Sequence, residues 1–158
     1  MKGLQKIINQ HIDNGLYHGV QWKITHKGNT NEGKSGIMNF NSREPIYNNS
    51  IYRIWSMTKP IISVVILQLV EEKKIKLNDI LTEYLPQFKN LKVLKSRDSL
   101  ITDVVEINSM PTIKDLLSHT AGFTYSFLGD VIGREYERVK LFHSETSTLE
   151  DEINLLSS

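Results

Sequence analysis

The stretch that decides the fold is IWSMTKP, residues 54–60, which leads directly into the apolar run IISVVILQLV, residues 61–70. Ser56 and Lys59 are three residues apart, a spacing that on a helix brings a hydroxyl and an amine to one face, about one turn from each other. A serine hydroxyl becomes an effective nucleophile when a neighbouring group takes its proton, and a lysine amine can do so when desolvation or nearby positive charge lowers its pKa. Ser56 and Lys59 are therefore the candidate catalytic nucleophile and base.

The apolar run would supply the desolvation. Within residues 61–70 only Ser63 and Gln68 are polar, so the pattern predicts a central, buried helix rather than a surface helix with one wet face. Pro60 fits the first turn of such a helix, where its missing N–H has no partner to lose. Ser56 would then lie at the helix N-terminus, where backbone N–H groups and the helix dipole stabilise negative charge on a carbonyl oxygen. Ser-x-x-Lys alone is a weak motif, but it occurs once in this chain, at this junction.

Three blocks of sequence resemble one protein family. Residues 51–60, IYRIWSMTKP, resemble the active-site serine region of the serine β-lactamase-related hydrolases, which include class C β-lactamases, DD-peptidases and family esterases. Residues 75–86, IKLNDILTEYLP, are similar to the family passage L-D-D-P-V-x-x-Y-L-P. Residues 111–123, PTIKDLLSHTAGF, are similar to the family signature TIRDLLTHTSGL. The blocks follow one another in the family's order, and the resemblance thins after about residue 125.

The resemblance implies a fold and a chemistry. The fold would be α/β, an α+β sandwich in which an antiparallel sheet is flanked by helices. Ser56 would attack the carbonyl of a small-molecule ester, amide or β-lactam, Lys59 would take the serine proton, and water would release the acyl group from Ser56. No metal or organic cofactor is implied, and the sequence does not choose among the three substrate classes.

The resemblance also implies motifs further along the chain. Relatives carry a Tyr-x-Asn or Tyr-Ser motif, whose tyrosine shares the base role with the lysine, and then a Lys-Thr-Gly or His-x-Gly strand. Neither follows residue 128, since Tyr136-Glu137-Arg138 lacks the Asn or Ser partner and is interpreted as part of an ordinary helix or loop. We therefore expect residues 1–158 to be the N-terminal portion of a single domain, incomplete at the C-terminal end and inactive in hydrolysis. The alternatives are a non-catalytic remnant and a penicillin-binding, sensor-like module that acylates without turnover.

Composition restricts the partners. The 158 residues are 39% hydrophobic and 23% charged, with a net charge of +1, which is typical of a globular domain and gives no basic surface for nucleic acid. There is no cysteine, so neither a thiol nucleophile nor a thiolate metal site can form. The N-terminus lacks a signal peptide's apolar core and no apolar run reaches membrane-spanning length, so we expect a cytoplasmic protein without a membrane partner. An uncovered sheet edge and helix face would favour self-association or poor solubility.

Local patterns predict several further elements. Helical spacing of apolar residues between Leu4 and Ile12 predicts an N-terminal helix that Asn14-Gly15 ends. Period-two alternation over residues 19–26 and strand character at residues 34–40 predict an antiparallel hairpin with a turn over residues 27–33. Residues 41–50 form a polar connector without periodicity.

In the second half of the chain, residues 101–107 are consistent with a short strand. Thr112 with Asp115 predicts a capping box for a helix over residues 113–118, ended by Gly122. Thr148 with Asp151 predicts a second capped helix, which would be amphipathic.

Three other features have a structural interpretation beside a functional one. His119 would suit a triad with Ser56, but the resemblance gives it a structural role and Lys59 already supplies a base. His11 has no second metal-type residue beside it and is interpreted as a helix-face histidine. The aromatic-rich segment 123–128 is consistent either with a wall of the substrate cleft or with core and loop packing.

Overall fold

The computed structural model describes residues 2–143 and 146–158, and these divide into two compact units that separate between Ser56 and Met57. Over this part of the chain the structure is mixed α/β, with helices and two small antiparallel sheets of two strands each. The predicted α/β fold class, with antiparallel strands and helices, is confirmed.

The first unit begins with α1 (Lys2–Asp13), the N-terminal helix that apolar spacing predicts. It ends where Gly15 adopts a left-handed φ of +74°, a conformation that glycine adopts without steric cost. The Gln5 side chain of α1 connects the helix to the hairpin, since it accepts a hydrogen bond from Trp22 Nε1 at 3.0 Å. Gly33 faces both side chains, and a Cβ there would lie 2.7 Å from the Trp22 ring. Glycine at 33 therefore allows the close approach of helix and sheet.

The hairpin consists of β1 (Gly19–His26) and β2 (Asn29–Gly36), paired antiparallel from Gly19 opposite Gly36 to His26 opposite Asn29. The predicted seven-residue turn is wrong. Only Lys27 and Gly28 lie between the strands, with φ of 47° and 78°. Two successive positive φ values are those of a type I′ turn, whose twist matches that of the flanking strands. The polar residues that follow continue the ladder, and the half of the hairpin next to the turn is exposed on both strands.

The connector at residues 41–50 contains no helix or extended strand and is held by the end of the hairpin. Met38 N donates to Glu44 O at 2.8 Å, and Ile46 N donates to Gly36 O at 3.3 Å. Ile46 is buried, so this polar segment places one apolar side chain in the core of the first unit.

The second unit begins with α2 (Thr58–Glu71), where the apolar run predicts a helix. Pro60 lies in its first turn, as expected. The predicted burial of this helix is wrong for this chain, since no residue of α2 is buried. Large apolar side chains of α2 are exposed instead, namely Ile61, Ile62, Val64, Val65 and Leu67. Nothing in the described residues covers that surface, which agrees with the expected uncovered helix face.

A second hairpin and a short capped helix follow. β3 (Lys92–Leu94) pairs with β4 (Val104–Glu106), and the latter lies within the predicted strand at residues 101–107. α3 (Ile113–Leu117) begins at the predicted Thr112–Asp115 capping box. It ends at Ser118 rather than at Gly122, and His119 takes the left-handed conformation in the turn that follows, with φ of 58°.

The last helices are α4 (Val131–Arg138) and α5 (Leu149–Leu156), and α5 begins at the predicted Thr148–Asp151 capping box. The buried apolar residues of the second unit come from four separate segments, namely Leu81, Phe88, Ile113 and Leu141. Glu152 of α5 is also buried and accepts a hydrogen bond from Phe142 N at 2.7 Å. None of the helices in the described ranges has both the length and the apolar content that a membrane span requires.

Candidate active site

Ser56 lies in a single 3-10 turn, Trp55–Met57, immediately before α2. The serine is exposed, and the backbone turns sharply just before it, because Trp55 has a left-handed φ of 47°. A bulky residue in this conformation is strained, and such strain is concentrated at functional sites. The sequence pattern did not signal this turn.

Trp55 presents its ring to solvent, with 75% of the residue exposed. The Arg53 guanidinium lies 4.8 Å above the centre of that ring. Such a cation–π contact is worth about 0.5–1 kcal/mol at an exposed site and favours this orientation of the tryptophan. The segment that precedes Ser56 is therefore held in part by the contact between Arg53 and Trp55.

Lys59 is the second residue of α2 and is exposed. Its Nζ atom lies 5.6 Å from the centre of the Tyr125 ring. Tyr125 in turn stacks on Phe127, with ring centres 4.9 Å apart and planes inclined by 23°. The desolvation that a buried helix would give Lys59 is missing, and an aromatic face lies close to the amine instead.

The backbone around Tyr125 is fixed by Asp130. Thr124 Oγ1 donates to the Asp130 carboxylate at 2.7 Å, and Gly133 N donates to it at 2.6 Å. These bonds lower the pKa of Asp130, that from the Thr124 hydroxyl more than that from the Gly133 N–H. A Cβ at Gly133 would lie 2.7 Å from Tyr125 O, so only glycine allows α4 to approach this loop so closely.

The segment 123–128 does not act as one unit. Phe123 packs edge-to-face on the buried Phe88, with ring centres 5.8 Å apart, so it serves loop packing. Tyr125 and Phe127 are exposed and add nothing to the core. The sequence leaves both a cleft wall and packing open for the whole segment. In the structure, Phe123 packs against the core, whereas Tyr125 and Phe127 remain exposed.

The block at residues 111–123 is organised by its capping box. Thr112 N and Oγ1 donate to the Asp115 carboxylate at 2.9 and 2.6 Å, and Asp115 N donates to Thr112 Oγ1 at 3.2 Å. The hydrogen bond from the Thr112 hydroxyl, followed by that from its N–H, lowers the pKa of Asp115. His119 lies exposed after this helix.

The block at residues 75–86 contains a local acid–phenol pair. Tyr84 Oη donates to the Asp79 carboxylate at 2.6 Å, and Lys76 N donates to the same oxygen at 2.7 Å. The bond to the Asp79 carboxylate raises the pKa of Tyr84 to about 12. The same bond lowers the pKa of Asp79. Tyr84 is therefore held as a donor and serves the turn rather than acting as a base.

Tyr136, the tyrosine in the region of the family motif, lies within α4. It is half-buried, and burial, with a smaller contribution from Asp130, raises its pKa. Elsewhere in the described residues, no three His, Asp or Glu side chains are grouped as a metal site would require.

Comparisons with known proteins agree with the three blocks. The Beta-lactamase family model matches residues 4–151. A protein of Mycobacterium tuberculosis, Rv1367c, is 29% identical over 143 residues, which are 88% of this chain and 35% of that protein. Esterase EstB of Burkholderia gladioli is 28% identical over 104 residues, which are 66% of this chain and 24% of that protein. This chain thus spans about a third of the length of the first relative and about a quarter of the length of the second.

One solved structure with a similar fold is described as EstCE1, a hydrolase with promiscuous acyltransferase activity. It superposes with a TM-score of 0.71 and is 25% identical, and the match covers 99% of this chain and 39% of that chain. The family match, the esterase relative and this fold agree with one another. The chain belongs to the Beta-lactamase family and is related to its esterases.

Proposed function

We propose that this protein is a serine hydrolase that forms an acyl-enzyme on Ser56, with Lys59 as the base and a carboxylic ester as the substrate class. The observation that carries the proposal is the position of Ser56 and Lys59 at the junction of a strained 3-10 turn and α2, inside the Beta-lactamase family match. The esterase named among the relatives favours an ester over a β-lactam.

In the proposed reaction, Ser56 Oγ forms a bond to the ester carbonyl carbon while its proton passes to the Lys59 amine. The bond to the leaving alcohol breaks, and the alcohol takes the proton from the Lys59 ammonium. Water then attacks the acyl carbon while the Lys59 amine takes a proton from the water. The bond between the acyl carbon and Ser56 Oγ breaks, Oγ takes the proton back from the Lys59 ammonium, and the acid is released. The backbone N–H groups at the start of α2 would stabilise negative charge on the carbonyl oxygen.

The desolvation expected for Lys59 is absent because α2 is exposed. This observation favours a second candidate within the same chemistry, a module that acylates at Ser56 and releases the acyl group very slowly. Such a module would be labelled covalently with little sustained turnover.

The test is reaction with a fluorophosphonate probe, followed by intact mass and peptide mapping. The wild-type protein should gain one adduct at Ser56. Ser56→Ala should abolish the adduct, whereas Ser63→Ala, a change of a neighbouring serine in α2, should retain it. Lys59→Ala should slow labelling on the order of a thousandfold.

The same samples are then given a p-nitrophenyl ester. Steady release of p-nitrophenol that depends on Ser56 would support the hydrolase, and a single burst without turnover would support the acylating module. Failure of wild-type protein to label, or an adduct at another serine, would refute both.

A further inference from the structure

We propose that Tyr125 is a positioning residue for Lys59, holding the lysine ammonium over the face of its ring. The inference rests on the proposed function in one respect, namely that Lys59 is the base. It begins from the 5.6 Å distance between Lys59 Nζ and the ring centre. A cation at this distance from an aromatic face is attracted by the negative potential of the ring.

The ring is itself held in place. Tyr125 stacks on Phe127, and both side chains are exposed, at 44% and 78%. Two large aromatic side chains that remain in water are not explained by core burial. Stacking on Phe127 fixes the plane of the Tyr125 ring, so the ring presents a defined surface to the lysine.

The backbone under the ring is also held. Thr124 donates to Asp130 at 2.7 Å, Gly133 N donates to the same carboxylate at 2.6 Å, and Gly133 leaves room for Tyr125 O. The loop that carries Tyr125 is therefore anchored at Thr124 and at Asp130. A flexible four-carbon side chain such as that of Lys59 loses many rotamers when its amine is held by a fixed partner. When Lys59 takes the serine proton it becomes an ammonium, and the ring face then stabilises that charge.

The contact can be measured without any catalysis. In a ¹³C–¹H spectrum of protein labelled at lysine, the ε-methylene signal of Lys59 should lie upfield of the other lysines because of the aromatic ring current, and Lys59→Arg assigns it by its loss. Tyr125→Leu should return the signal to the common lysine position, and Tyr125→Phe should leave it upfield. Tyr47→Leu removes a tyrosine of matching exposure, 46%, and should change nothing. An ordinary Lys59 signal in the wild type, or an upfield one in Tyr125→Leu, would overturn the inference.

The functional readout is the rate constant of fluorophosphonate labelling at Ser56. Loss of an exposed cation–π contact should slow labelling by about two- to fivefold in Tyr125→Leu, with full rescue in Tyr125→Phe, because the phenyl face is retained. Equal rates in Tyr125→Leu and the wild type would refute the positioning role while leaving the proposed function in place. Absence of labelling in the wild type refutes the proposed function, and the ring-current shift then still decides whether the contact exists.

Discussion

The exposed apolar face of α2 leads to a prediction that contradicts the sequence pattern. A helix as apolar as residues 58–71 is typical of a core, so truncating it should be severely destabilising. In this structure Val64 is 55% exposed, whereas Leu81, in the same unit, is 3% exposed. Val64→Ala should therefore cost far less stability than Leu81→Ala.

The magnitudes follow from burial. Removing two methyl groups from a fully buried site forfeits about 0.8 kcal/mol for each, so a valine that is less than half buried loses only about 0.7 kcal/mol in total. Leu81→Ala removes three buried carbon groups and leaves a cavity, which costs about 2–5 kcal/mol. The two substitutions should therefore differ in free energy of unfolding by at least about 1.3 kcal/mol.

The assay is urea unfolding of the three proteins, followed by circular dichroism at two protein concentrations tenfold apart. Both residues lie in the second unit, so one transition reports both changes. A Val64→Ala loss equal to that of Leu81→Ala at both concentrations would refute the exposed-face interpretation. A Val64→Ala loss that grows with protein concentration would instead show that a second copy covers α2, which is the self-association that the sequence predicts.

The remaining predictions concern hydrogen bonds. Thr112→Ala and Thr148→Ala each remove a helix N-cap and should each cost about 1 kcal/mol in urea unfolding. Since the capping box lowers the pKa of Asp115, its stabilisation is present above the ordinary aspartate pKa and is lost as pH falls through the lowered value, so Thr112→Ala should flatten the acid limb of stability against pH. Tyr84, with its pKa raised to about 12, should titrate near pH 12 in an ultraviolet titration. Its bond to Asp79 stabilises the fold below pH ~10 and is lost as pH rises towards 12, so Tyr84→Phe should remove this alkaline dependence.

The features that the sequence predicts correctly depend on neighbours in the chain. A capping box needs a threonine and an acidic residue three positions later, so both boxes, at Thr112 and Thr148, are found where the pattern indicates. The N-terminal helix also ends as predicted, because Gly15 supplies the left-handed conformation. The ends of these helices are therefore set by a few residues that are close together in the sequence.

The failures have a different cause. The predicted turn around Lys27-Gly28 is too long because the polar residues of β2 give no alternation, although these residues pair with β1 along its whole length. The predicted burial of α2 failed because burial depends on what lies opposite, and period and composition describe only the helix itself. The family blocks identify a shared ancestry, but they likewise cannot show whether an apolar face is covered in this chain.

The candidate site combines both kinds of information. Ser56 and Lys59 are recognisable because their spacing is local, whereas Tyr125 lies 66 positions after Lys59 and only the folded chain brings its ring to the amine. The strain at Trp55 and the close approach allowed by Gly133 are equally invisible to a pattern, since each depends on one backbone conformation or one distance. A motif can thus name the reacting groups, but the residues that orient them have to be read from contacts. For this reason the Tyr125 substitutions test the structure itself, whereas Ser56→Ala tests a hypothesis that the sequence alone already supports.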